Sequence, residues 1–200
     1  MKHFNRELAG ALLFSSMLIF QIGLNVAEEL YPGYNVSQNY ISDLGATCRG
    51  TDCHIFQPSA TIFNTSIILT GVLSIIAAYL IYSEFKSNIL SFLIAFSGIG
   101  AMCVGIFPEF TGKIHVIAAL ITFVSGGLSP IAAFFLLKSP FRYISILLGV
   151  ITSVALILYI TKQYLGLGPG GMERMIVYPF VLWVLGFGGY LMHPTRDDLK

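Results

Sequence analysis

Charge is scarce in this 200-residue sequence, with Lys, Arg, Asp and Glu together making up 10%, where ordinary globular chains carry about 25%. A soluble surface cannot be built from so few charged side chains, and this excludes a free-standing globular domain. The charge that exists is balanced, eleven basic residues against ten acidic. That leaves no basic stripe for a phosphate backbone and excludes nucleic acid as a partner. Cysteine is sparse as well. Of three, Cys103 lies alone in an apolar run, while Cys48 and Cys53 bracket the short segment Cys-Arg-Gly-Thr-Asp-Cys. Neither Cys-x-x-Cys nor finger spacing occurs, which argues against a structural zinc site, and no cofactor or metal is expected. The glycines of Gly166 to Gly171 are not followed by Gly-Lys-Ser/Thr, so they are no phosphate loop. No internal repeat of the kind that marks many transporters is present.

Apolar residues, by contrast, reach 56%. A membrane-crossing helix needs about 20 predominantly apolar residues, and six segments qualify: Leu8 to Ala27, Ala60 to Tyr82, Asn88 to Phe107, Ile114 to Leu137, Tyr143 to Ile160 and Met175 to Met192. The fold class expected is an all-α, polytopic bundle of six transmembrane helices forming one domain over residues 1–200. The first run exceeds a signal-peptide core of about 7–15 residues and lacks a small-x-small cleavage site, so it counts as a span. Clusters such as Gly98-x-Gly100-Ala101, Ser125-Gly126-Gly127 and Gly186-x-Gly188-Gly189 suit close helix packing in lipid.

With the N-terminus inside, the inner side holds Lys2, Arg6, Lys86, Lys138, Arg142, Arg196 and Lys200, and the outer side Arg49, Lys113, Lys162 and Arg174. This bias places both termini in the cytoplasm of a cell-membrane protein. It also places Cys48 and Cys53 outside, where an oxidising space would allow a disulfide that spacing alone does not prove.

The polar residues that lipid does not explain gather on that outer side. Tyr31 to Gly45 joins spans one and two and reads as an amphipathic or re-entrant segment. Pro32-Gly33 starts a turn, Ser37 caps a short helix, Gly45 ends it in the left-handed conformation, and Ile41 and Leu44 supply an apolar edge. Gln38/Ser42 and Asn39/Asp43 are four-apart pairs. Asn64 lies in the first turns of span two, Pro108 and Glu109 link spans three and four, His115 starts span four, and Glu173-Arg174 precedes span six. Each has a structural explanation taken singly. Together they define the expected outer-leaflet polar pocket: Asp43, Asn64, Glu109, His115, Glu173 and Arg174, supported by Pro32, Gly33, Ser42, Gly45 and Pro108.

The chain resembles an uncharacterised family of six-helix prokaryotic membrane proteins, the domain of unknown function 998 type. The resemblance is carried by Pro32-Gly33-Tyr34, Ile41-Ser42-Asp43-Leu44-Gly45, Phe63-Asn64 with Gly71, Phe107-Pro108-Glu109 with His115 and Ala118-Ala119, and Glu173-Arg174 before Tyr178-Pro179 and Trp183. That family is distantly similar to the Frag/DRAM/Sfk-like lipid-associated membrane proteins, which implies lipid handling by analogy of fold. The cysteine loop and the Asn35-Val-Ser37 sequon lie outside the pattern.

The leading expectation is a membrane protein that binds or remodels a lipid headgroup, with Arg174 holding the phosphate and Asp43, Glu109 and His115 orienting it. Membrane lipids are then its partners, with a membrane-protein partner or homo-oligomer open. Turnover would need a nucleophile or an activated water with His115 as general base; Ser42, next to Asp43, is a candidate nucleophile without the Gly-x-Ser-x-Gly context that would support it. A metal on Asp43, Glu109, His115 and His54 is a minor reading. An accessory subunit of a membrane complex, or a small transporter with Asp43 or Glu109 as a proton-coupled carboxylate, are the alternatives.

Overall fold

The computed structural model describes residues 2–50 and 52–193. Six helices follow one another along the chain, all but the first pair joined by short connections: α1 (Lys2–Leu30), α2 (Ser59–Phe85), α3 (Asn88–Ile106), α4 (Lys113–Ala132), α5 (Phe141–Ile160) and α6 (Gly168–Met192). All six are long and apolar enough to cross a membrane. The chain is an all-α, polytopic membrane protein. Each helix packs on the next and α6 returns to α1, closing a ring.

The distribution of side chains is that of a protein dissolved in lipid. On α2 the inward stripe Phe63, Ile67, Thr70, Gly71, Ser74, Ala77, Ala78 and Ile81 recurs at helical spacing and is mostly small or weakly polar. Large apolar residues such as Leu69, Val72, Ile76 and Tyr79 point outward. With lipid outside, helices gain little by hiding leucine and gain contact by bringing backbones together. At the α2–α3 crossing a Cβ on Gly98 would lie 2.8 Å from the Gly71 carbonyl. At the α1–α6 crossing a Cβ on Gly10 would lie 2.6 Å from the Gly188 carbonyl. Gly189, grouped with Gly188 in the sequence, has open space around it.

Lower in the bundle, the fully buried indole of Trp183 stacks on Phe187 at 5.0 Å. Its Nε1 donates to Ser145 Oγ (2.6 Å), whose own proton goes to the Pro130 carbonyl (2.7 Å). This chain ties α6, α5 and α4 together where Pro130 lies inside α4.

Three connections share one end of the bundle: residues 31–58, 107–112 and 161–167. The first forms a cap. It contains a single 3₁₀ turn, Ser42–Leu44, and a two-stranded antiparallel hairpin, β1 (Thr47–Arg49) with β2 (Asp52–His54). Cys48 pairs opposite Cys53 in that hairpin and the two form a disulfide.

Several expectations need correction. The Tyr31 to Gly45 stretch forms turns in place of an amphipathic helix, because Asn35 intervenes: its Oδ1 accepts from the N–H groups of Ser37 and Gln38. Ser37 caps no helix, and its hydroxyl donates to the Leu167 carbonyl (2.6 Å). Gly45 is right-handed (φ −82°), and its lack of a side chain serves a close approach to Asn64 and Phe63. Helix α6 starts at Gly168, seven residues before Met175. Proline is favourable in a first turn, and Gly170 donates its N–H to the Ser37 carbonyl (2.9 Å), so tertiary contact supports a weak helix start. Glu173 and Arg174 are therefore inside the helix. Arg196 and Lys200, counted for the inner side, lie outside the described residues.

Candidate functional site

Two charge centres hold the cap. In the first, the buried Asp43 carboxylate accepts four hydrogen bonds. Oδ2 takes Asn39 Nδ2 (2.9 Å), Tyr40 N (2.9 Å) and Arg49 Nη2 (2.7 Å), and Oδ1 takes Arg49 Nη1 (3.1 Å). The Asn39 and Tyr40 bonds are local, set by the tight turn before Ser42. Arg49 arrives from β1 and offers the planar fork that matches a carboxylate. The same guanidinium approaches Glu109 Oε1 at 3.7 Å, while Glu109 Oε2 accepts the Cys48 N–H at 2.7 Å. The α3–α4 turn is thereby docked on the hairpin. The bond to Asp43 strengthens the Arg49 guanidinium's hold on its proton, against partial desolvation.

Burial is the main cause pushing the Glu109 carboxyl above its ordinary pKa; the Cys48 N–H lowers it, Asp43 raises it further and Arg49 lowers it. A carboxyl with a raised folded-state pKa keeps a proton that the unfolded chain releases. Its cost to stability therefore grows as pH rises above the ordinary carboxylate range and disappears as pH falls back into it. Glu109→Gln retains an oxygen for Cys48 N–H and loses the titration. Wild type should gain stability relative to this variant as pH is lowered from neutral toward about 4. Paired thermal melts across that window test the expectation, and parallel curves would contradict it.

The second centre is Arg174, which is 3% exposed. Nη1 donates to the carbonyls of Gly170 (3.0 Å), Val36 (3.1 Å) and Asn39 (3.2 Å). Nη2 donates to Glu28 Oε1 (2.5 Å) and Tyr34 Oη (2.6 Å). Burial, ahead of all electrostatic effects, raises the pKa of the Tyr34 phenol and keeps it protonated. Both terminal nitrogens of Arg174 are spent inside the protein, so no fork is left for a lipid phosphate.

The remaining two residues behave differently. His115 and Glu173 both line a cavity of ≈ 90 Å³ inside the helix ring, and Ser42 of the cap lines it too. His115 Nδ1 lies 2.8 Å from the Phe107 carbonyl. A carbonyl only accepts, so Nδ1 carries a proton, and in the neutral ring Nε2 is then an acceptor. Pro108 makes this possible, because its extended backbone (ψ 173°) ends α3 and leaves the Phe107 carbonyl without a helical partner. Glu173 Oε2 accepts the Ile41 N–H (2.5 Å). Neither His115 Nε2 nor Glu173 Oε1 has a hydrogen-bond partner among the described residues.

The expected pocket is thus divided. Asp43 and Glu109 meet at Arg49, Arg174 is sequestered by Glu28 and Tyr34, and His115 and Glu173 face the cavity. Asn64 stands apart, with Nδ2 3.5 Å from the Gly45 carbonyl and Oδ1 unpaired. Pro32 and Gly33 form the turn foreseen, with Gly33 at φ +72°. Ser42 makes no side-chain hydrogen bond to His115 among the described residues, so the nucleophile–base contact that turnover would use is not formed. His54 is exposed beside Phe56, and among the described residues no three His, Cys, Asp or Glu side chains assemble as a metal set. Sequence reasoning missed Glu28, Tyr34 and Arg49. Arg49 was findable as the only basic residue between spans one and two.

Across this architecture, a model of a family described as protein of unknown function (DUF998) matches residues 9–190, which include the six helices' cores, the cap and every residue of both charge centres. The chain belongs to the DUF998 family. No curated protein and no solved structure matches it. The DUF998 match takes in the cavity as well, from Leu13 to Val184.

Proposed function

We propose that this DUF998 protein binds a segment of a membrane lipid in the interhelical cavity, with the lipid's polar end beneath the cap at His115 and Glu173. The observation that carries this reading is the shape of the cavity. Its lining runs from Glu173 to Val184 on α6 and from His115 to Gly126 on α4, eleven residue steps in each case, or about 16 Å at 1.5 Å per residue. That is close to half of a ~30 Å hydrocarbon core, the depth of one leaflet. The volume, ≈ 90 Å³, is several times the ~10–15 Å³ that admits one water. A long, mostly apolar slot with its imidazole and carboxyl groups at one end suits a single chain bearing a polar head.

Two further features support placing the cap on the outer side. Its disulfide suits an oxidising compartment, and the basic residues favour the opposite end. The resemblance to lipid-associated six-helix proteins agrees with a lipid ligand. The headgroup-phosphate version, with Arg174 as anchor, is replaced by one in which Arg174 braces the cap. The transporter alternative through Asp43 would need that carboxylate free to exchange protons, and it is held by both terminal nitrogens of Arg49.

Filling the slot tests the reading. Ala119, one turn below His115 on α4, lines the cavity. Ala119→Phe should reduce lipid co-purified in native nanodiscs severalfold by mass spectrometry, while Ala119→Ser should retain it. Unchanged lipid in a folded Ala119→Phe protein would defeat the proposal.

A further inference from the structure

The unpaired atoms in the slot say what kind of polar group it takes. His115 Nε2 is an acceptor, because Nδ1 carries the ring proton to Phe107. Glu173 presents a second carboxyl oxygen, the first being held by Ile41 N–H. Both residues are more than nine-tenths buried, His115 at 6% and Glu173 at 5% exposure. Acceptors without donors in a buried site cost free energy, so these two atoms, brought to the cavity by residues of α4 and α6, mark a place for a donor. Deeper in the slot the Thr152 hydroxyl is also buried without a partner.

Charge sharpens the point. Among the described residues no lysine or arginine lines the cavity, and Arg174, next in the chain to Glu173, spends its terminal nitrogens on Glu28, Tyr34 and three carbonyls. A phosphate or carboxylate entering the slot would meet a carboxyl group and an imidazole acceptor with no cation to offset its desolvation. An ammonium could donate to both acceptors, and a hydroxyl, with its single O–H, to one of them. Each brings at least one N–H or O–H, and its apolar tail would follow the slot downward.

We propose that the mouth of the cavity is a recognition site for a hydrogen-bond donor on an apolar chain, a lipid hydroxyl or primary amine, and that it discriminates against anionic headgroups. This rests on the cavity being the lipid site, and goes beyond it by naming the headgroup chemistry. Recognition of this kind is selective, because a ligand without the donor leaves both acceptors unpaired inside the protein.

The test uses four probes of equal chain length, a primary alcohol, a primary amine, the alkyl methyl ether and the alkyl phosphate, each added to the full protein in nanodiscs and followed by native mass spectrometry. The alcohol or the amine should bind about tenfold more tightly than the ether, the difference expected from a donor whose loss strands buried acceptors. The phosphate should bind weakest. His115→Phe and Glu173→Gln should each shrink the alcohol-to-ether ratio. A stronger preference for amine over alcohol, lost in Glu173→Gln, would assign the ammonium. Both variants keep a side chain of similar size, and their melting curves report whether they fold. Equal binding of all four probes would overturn donor recognition while leaving the slot as a lipid site, with the two acceptors served by water. Preference for the phosphate would overturn it outright. Failure of every probe to bind, in wild type and variants alike, would remove the lipid-binding reading as well.

Discussion

Arg174→Ala should lower the melting temperature of the purified protein by roughly 10 °C or abolish accumulation of the folded form. The substitution strips the carbonyls of Val36, Asn39 and Gly170 of a donor and leaves Glu28 facing Tyr34 without a cation. Breaking a buried pair from one side costs about 3–5 kcal/mol, a large part of the 5–15 kcal/mol that holds an ordinary protein together. At about 2–4 °C per kcal/mol for a chain of this size, the shift is readily measured. Arg174→Lys should recover little, because an ammonium cannot span three carbonyls, a phenol and a carboxylate arranged for a planar fork. Glu28→Gln should be milder, since the amide oxygen still accepts. The single tryptophan, Trp183, is fully buried in the core and provides an internal fluorescence reporter. A melt of Arg174→Ala within 2 °C of wild type, again at about 2–4 °C per kcal/mol, would mean that Arg174 is not a brace and would return it to the list of ligand-binding residues.

Asp43→Ala should release the cap without unfolding the bundle. It leaves Tyr40 N–H, the Asn39 amide and the Arg49 guanidinium without their shared acceptor, and stranded buried donors cost on the order of 1–3 kcal/mol each. Arg49 is half exposed and can turn to water, which limits its share. The loss falls on the segment between α1 and α2, because the Asp43 side chain hydrogen-bonds to Asn39, Tyr40 and Arg49, all within that segment. Hydrogen–deuterium exchange should therefore speed up by tenfold or more across residues 35–49, while α2 and α3 keep wild-type protection; tenfold corresponds to about 1.4 kcal/mol of local stability. Uniform acceleration over the whole chain would show that Asp43 supports the bundle as well as the cap. Asp43→Asn keeps one acceptor oxygen and should fall between the two.

How much of this was legible beforehand depended on the kind of interaction. The six spans were readable because insertion into lipid depends on the sum of side-chain hydropathies, a property of composition over a window. The disulfide could be anticipated because a short loop limits what two cysteines can reach. The α6 start was misplaced because Gly168, Pro169, Gly170 and Gly171 have poor helix propensity, and the contact that recruits them, Gly170 against the Ser37 and Asn39 backbone, comes from far along the chain. Which partner each charged residue took could not be read, since Arg49 and Arg174 were both placed on the outer side together with Asp43 and Glu109.

The sequence by itself determined that the chain lives in a membrane as six helices and that its unusual polar residues belong to one end. Those conclusions follow from hydropathy and alternation, which need no knowledge of contacts. Only the tertiary structure decided the pairing: Arg49 to Asp43, Arg174 to Glu28, and His115 and Glu173 to the cavity. Pairing depends on distances of a few ångströms between segments more than a hundred residues apart, as with Arg174 and Glu28, and hydrogen bonding falls away too steeply with distance for any sequence pattern to stand in for it.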